Sequence, residues 1–143
     1  MKKKLVCIMV ILSVLFAGTA FAGSYANAVA KRMSAAKKLY DKKYNNANTT
    51  FDMKESQNEY IEFLDGELNT VYKKIMALLP QKEKNRLRNE ERKWIKTRDR
   101  QADKNAAEFE GGTLAPVEYN HTYIKYDEQR LMYLANYYDR IKK

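Results

Sequence analysis

Beyond its first 22 residues the chain has no cysteine, because the only one, Cys7, lies inside an apolar leader. No disulfide can staple the remaining 121 residues, so packing alone must hold them. Histidine also occurs once, as His121. A lone imidazole with no thiolate or second histidine is a poor zinc site, and an exposed surface position is expected for it. Ser24, Ser34 and Ser56 are the serines beyond the leader, and none sits in a nucleophile elbow. The glycine pair Gly111-Gly112 is followed by Thr113-Leu114, with no lysine placed to hold a phosphate. Asp65 with Glu67, and Glu90 with Glu91, are close in sequence but point apart on a helix, with basic residues nearby. They read as ion-paired surface, not as an acid/base couple. No metal, cofactor or catalytic centre is expected, and hydrolase chemistry is not expected either. No repeat, low-complexity tract or second domain is visible.

The leader itself is informative. Lys2, Lys3 and Lys4 precede an apolar run, Leu5 to Phe16, and Ala20-Phe21-Ala22 forms a small-x-small cleavage signal. The run is too short for a membrane span, and Cys7 has no lipid-attachment context. Cleavage is expected before Gly23, giving a periplasmic or secreted protein. The remaining chain suffices for one domain with one core.

The net charge is +9, and the leader's three lysines leave +6 for the processed chain. Lys31, Arg32, Lys37, Lys38, Lys42 and Lys43, against Asp41, carry +5 of this between Gly23 and Asn45. The rest is close to neutral, which argues with the export signal against nucleic acid as a partner. The basic arm reads first as the solvated face of a packed helix. The alternative is a strip that meets an anionic envelope polymer or lipid headgroups.

Helical periodicity dominates the rest. Ser24 to Tyr44 places Tyr25, Ala28, Val29, Ala36, Leu39 and Tyr40 on one face, opposite Lys31, Lys38 and Lys42. The polar break NNANTT, 45–50, is a linker or capping turn, with Thr50 or Asp52 available as a cap. Met53 to Leu79 repeats apolar residues at three- and four-residue steps and stops at Pro80. Gly66 inside it marks close packing or a slight bend. Gln81 to Asn105 is a third helix with a narrow apolar stripe of Leu87, Trp94 and Ile95. Trp94, the only tryptophan, is its largest apolar surface and the expected centre of the core. After Gly111-Gly112, Pro116 suits the first turn of a last helix. Its stripe is rich in tyrosine, from Tyr119 to Tyr137, the edge of a core more than a ligand platform. The expected fold is all-α, a bundle of three to four helices with an antiparallel hairpin centred on Trp94. The expected division is a leader at 1–22, a basic helix and linker at 23–50, and a helical domain at 51–143.

Several motifs fall in a recognisable order. They are Asp65-Gly66-Glu67-Leu68-Asn69, Val71-Tyr72, Arg92-Lys93-Trp94-Ile95, Arg98-Asp99, Gly111-Gly112-Thr113 with Pro116, and Arg130 with Leu134. The set resembles the LprI-like lysozyme-inhibitor family over about Met53 to Leu134. The family pattern is D-x-E-L-N-x-x-Y, W-I-x-x-R-D, G-G-S/T and T-x-x-R. Family members usually carry cysteines where this chain has Ser56, Ala102 and Thr122, and Asp127 stands at the threonine of T-x-x-R. The extra N-terminal helix is expected to compensate for the missing cross-links by covering more core.

The resemblance implies an exported protein that binds and blocks lysozyme, without catalysis of its own. Lysozyme works with two carboxyl groups in an open cleft. The segment expected to enter that cleft is the loop Glu108 to Pro116. Glu108 and Glu110 would meet the arginine-rich rim, with backbone N–H groups near Gly111, Gly112 and Thr113 reaching inside. Asp65, Glu67, Asn69, Tyr72, Trp94, Arg98, Asp99 and Arg130 are read as structural, the polar ones tying helices together by charge-assisted bonds. The alternative function is an envelope or immunity protein that recognises a secreted toxin or an anionic polymer. Intact-mass measurement of the exported protein is expected to show a chain starting at Gly23; a mass retaining the leader would overturn the cleavage assignment.

Overall fold

The computed structural model describes residues 23–143, so the expected leader lies outside the described residues. The four periodic stretches form four helices: α1, Ser24–Asn45; α2, Thr50–Leu78; α3, Gln81–Ala107; and α4, Ala115–Ile141. No strand occurs among the described residues.

Local chemistry sets the ends. Thr49 and Asp52 form a reciprocal capping box at the start of α2, so the cap is one residue earlier than the expected Thr50, and Asp52 completes it. Lys42 and Lys43 occupy the last turn of α1, where a cation meets the negative end of the helix dipole. Pro80 separates α2 from α3, and Pro116 lies in the first turn of α4. The start of α1 has no side-chain cap of its own. Asp139 supplies one from α4, its carboxylate accepting from the N–H groups of Tyr25 at 3.2 Å and Ala26 at 2.8 Å. Gly23 makes room for this, since a Cβ there would collide with the Asp139 side chain. Gly66 is different: nothing lies within 4 Å of where its Cβ would be, so close packing is not its reason.

At 29 residues, α2 is about 44 Å long, and α4 packs along it as the most extensive pair in the bundle. Leu64, Val71 and Ile75 from α2 meet Leu131, Leu134 and Ala135 from α4, all essentially buried. α1 adds Ala26 and Val29 to the same core. Each fully buried Leu or Ile contributes about 1.5–3 kcal/mol, whereas a surface ion pair contributes about 0–1 kcal/mol. The α2–α4 seam therefore outweighs the ion pairs that decorate α1. Those pairs are Arg32–Glu67, Lys37–Glu128 and Lys43–Glu59. Beside them Tyr60 donates to Glu128 and stacks on Tyr40, with centroids 5.1 Å apart. Half of the arm's cations are thus engaged, while Lys31, Lys38 and Lys42 are exposed.

Two expectations change. Trp94 is half-buried and does not belong to the core cluster, whose centre lies between α2 and α4. Leu39, placed on the packed face of α1, is 56% exposed. The cause of the first change is that α3 packs on α4 and scarcely touches α2. The helix pair joined at Pro80 is therefore splayed, and Trp94 stands on the wall of the gap.

Replacing Asp139 by alanine removes the cap of α1 and should cost about 1 kcal/mol, a loss of roughly 4 °C in Tm for a chain this size. Thermal melts followed by circular dichroism check this, and an unchanged Tm would contradict the capping role.

Candidate functional site

The gap between α2 and α3 is an open groove of about 400 Å³ floored by α4. Seven residues separate Asp65 from Tyr72 on α2, and seven separate Glu91 from Arg98 on α3. Two helical turns of each helix therefore face the groove, about 10 Å of wall. Leu68 and Tyr72 line one side, Trp94 and Ile95 the other, and Tyr123 and Leu134 lie between them. Ile95 is 40% exposed.

One end of the groove is a charged cluster. Arg98 is buried and reaches α4, where its Nη1 donates to Asp127 Oδ1 at 3.0 Å. Its Nε donates to Asp99 at 2.9 Å, and its guanidinium lies 3.6 Å from the centre of the Tyr123 ring. Two cations lie near Trp94, with Arg98 at 5.0 Å and Arg130 at 5.7 Å from the centre of its ring. Arg130 returns the crossing from α4 to α3, donating to Glu90 at 2.7 Å and to Glu91 at 2.5 Å.

Asp127 has no exposure at all, and its second oxygen, Oδ2, meets no donor. The carboxyl of Asp65 interacts with that of Asp127. Two ionised carboxylates are both acceptors and cannot bond to each other; one proton between them converts the clash into a bond. Burial pushes the Asp127 carboxyl up to about 7, against the opposing pull of Arg98, with Asp65 and Asp99 adding to the rise. Burial likewise raises Asp65, with Arg98 opposing. Tyr123 is pushed up to about 12 by burial, so it stays a neutral hydroxyl.

The motif residues thus divide. Asp65, Asn69, Tyr72, Trp94 and Arg98 come together on the groove. Asp99 and Arg130 support its charged walls. Glu67 faces away, accepting two bonds from Arg32 on α1. Sequence reasoning left Asp127 unexplained, although an acid at core spacing between Ile124 and Leu131 is a usable signal for a buried partner. Glu91 and Tyr123 were not anticipated as groove residues. His121 is exposed on its side chain, 4.0 Å from Glu118.

The loop from Glu108 to Leu114 is a separate feature, exposed throughout. It turns tightly, with the Gly112 N–H donating to the Phe109 carbonyl and Gly111 at a φ of 79° that favours glycine. The Gly112 N–H is thereby used internally, whereas Gly111 and Thr113 make no such bond. Among the described residues no group of acids, histidine or cysteine is placed to hold a metal ion, and no helix is long and apolar enough to cross a membrane.

Comparison with known proteins adds one decisive match. The family model described as lysozyme inhibitor LprI matches residues 41–134. The chain belongs to the LprI family. No curated protein and no solved structure matches it. The LprI match begins late in α1 and ends in α4, so it contains the whole groove and the whole loop. It fits the expectation of an inhibitor-type family, not a catalytic one.

The Asp65–Asp127 proton sets a pH dependence. Asp127 holds its proton in the folded chain up to about pH 7, whereas an unfolded aspartate loses it near 4. The folded state therefore binds more protons across that window, and stability falls as pH rises through it. Asp127→Asn mimics the protonated form and should gain on the wild type in Tm between pH 5 and pH 8. Arg98→Ala leaves a buried carboxylate without its cation and should cost about 3 kcal/mol at pH 8, and less at pH 5. Parallel melts of both variants check the pair; pH-independent differences would refute the shared proton.

Proposed function

We propose that this chain is an exported, non-enzymatic inhibitor that binds a lysozyme-type cell-wall hydrolase. Membership of the inhibitor family over residues 41–134 is the observation that carries this reading. The apolar leader with its small-x-small site supplies the route to the periplasm or the exterior.

The loop Glu108 to Pro116 is the proposed contact. Lysozymes are strongly basic, and a chain of +6 is repelled by them at long range. The segment 105–120 reverses this locally, since it holds Glu108, Glu110 and Glu118 with no lysine or arginine. Approach loop-first is thus the electrostatically favoured orientation. Phe109 and Leu114, 37% and 41% exposed, give the loop apolar anchors. Glu108 and Glu110 meet the arginines at the cleft rim, and the free N–H groups of Gly111 and Thr113 are donors for the hydrolase carboxyls.

A second reading rests on Lys31, Lys38 and Lys42, exposed cations of α1 that form no ion pair among the described residues. In it they hold an anionic envelope polymer, and the attachment weakens steeply with salt.

In a cell-wall lysis assay, the wild type is expected to inhibit lysozyme. Gly112→Trp and the double variant Glu108→Lys with Glu110→Lys should each weaken inhibition by roughly tenfold or more, as loss of a central contact does. Full inhibition by both would exclude the loop. No inhibition by the wild type would exclude the lysozyme reading.

A further inference from the structure

The groove between α2 and α3 carries a charge opposite to that of the chain around it. At its charged end Asp65 lines the groove beside Arg98, whose single guanidinium is bonded behind the wall to Asp99 and to the fully buried Asp127. Farther along, Glu91 lines the groove, and with Glu90 behind it accepts from the single guanidinium of Arg130. With every acid ionised, five carboxylates meet two arginines, and one shared proton still leaves an excess of two negative charges. Both arginines are already committed to acids and to aromatic rings, so neither offers a free donor to an incoming anion.

The remaining walls fix the shape of what fits. Tyr72 and Trp94 offer aromatic surface on opposite sides, and Leu68 and Ile95 offer aliphatic surface beside them. A cation over such faces is favoured, more so where water is excluded. The groove is open, so a side chain can enter from solution without any helix parting. We propose that this groove binds a polypeptide segment presenting a basic side chain beside a large apolar one, with Asp65 as the anion that receives the cation.

The apolar neighbour packs against Leu68, Trp94 and Ile95, and the cation lies between Tyr72 and the Asp65 carboxylate. This site is distinct from the loop Glu108 to Leu114 and does not require lysozyme as the partner. Cation and proton compete for the same negative charge, shared by Asp65 on α2 and Asp127 on α4. The other groups facing that pair are Arg98 and Asp99 on α3 and the hydroxyl of Tyr123 on α4. Arg98 stays charged and Tyr123 stays neutral across the neutral range, so only the carboxyl pair changes. Binding therefore strengthens as pH rises through the neutral range, and the proton displaced goes to solvent.

Trp94 is the only tryptophan of the chain and forms one wall, so its fluorescence reads the groove directly. The probe is an acetylated, amidated helical peptide without tryptophan, carrying one arginine and one leucine four residues apart. Titration into the processed protein should give a saturable change in Trp94 emission, about tenfold tighter at pH 8.5 than at pH 5.5. A peptide with glutamine in place of arginine should bind about tenfold more weakly, as expected for loss of a charge-assisted contact. Asp65→Asn should lose both the preference for arginine and the pH dependence, with circular dichroism confirming that it is folded. Leu68→Ala, at the half-buried wall, removes apolar surface without changing the charge and should weaken both peptides equally, with circular dichroism confirming that it is folded. No saturable change with the folded wild type, equal binding of the glutamine peptide, or an Asp65→Asn variant that keeps the pH dependence would each overturn the proposal. These readouts use no hydrolase, so they stand or fall apart from lysozyme inhibition.

Discussion

The arrangement of this bundle depends on a reciprocal exchange of arginines between α3 and α4. Arg98 crosses from α3 to a fully buried Asp127 on α4, and Arg130 crosses back to Glu90 and Glu91. The exchange is needed because α3 is the most polar of the four helices, and its buried positions are only Leu87, Arg98 and Ala102. So little apolar burial cannot hold 27 residues in one rotational setting. A directional ion pair can, since it tolerates one geometry and penalises every other by leaving a buried charge unpaired. The two crossings thus select which face of α3 meets α4, more than they add net stability.

That selection creates the groove. With its buried residues turned toward α4, α3 leaves Trp94 and Ile95 facing α2 across a gap that neither helix fills. Trp94 gains its environment from Arg98 and Arg130 instead of from aliphatic neighbours. The same residues therefore have a structural and a potential recognition role. Of the polar motif residues, Glu67, Arg98 and Arg130 bond across helices; Val71 and Leu134 are buried in the core, while Trp94 and Ile95 remain on the groove wall.

The missing cysteines belong to the same balance. Ser56, Ala102 and Thr122, where the resemblance to the family implies cysteine, are all buried. Ser56 Oγ donates to the Met53 carbonyl, and Thr122 accepts from Asn105 across the α3–α4 interface at 2.8 Å. One such bond is worth about 1 kcal/mol, against about 2–4 kcal/mol for a disulfide, so it replaces the cross-link only in part. α1 contributes Ala26 and Val29 to the core, held at its start by Asp139 and along its length by pairs to Glu67 and Glu128. Asp127, a departure from the family's threonine, has a reason here as the buried partner of Arg98.

The four helices and most of their ends were legible in the sequence, because periodicity, capping residues and proline act within a few positions. The exposed loop around Gly111 was legible for the same reason. The family motifs pointed to the right side chains but not to their arrangement. The centre of the core was misplaced at Trp94, since size and apolarity do not say which neighbour a side chain finds. The groove required α3 to turn its buried residues toward α4 and leave Trp94 and Ile95 across a gap from α2, and that was decided by Arg98 and Asp127, 29 residues apart. Local sequence determined that helices form and where they stop; only the tertiary structure decided how α3 is rotated. The physical reason is that an α-helix completes its backbone bonds internally, while its orientation depends on partners that only folding brings together.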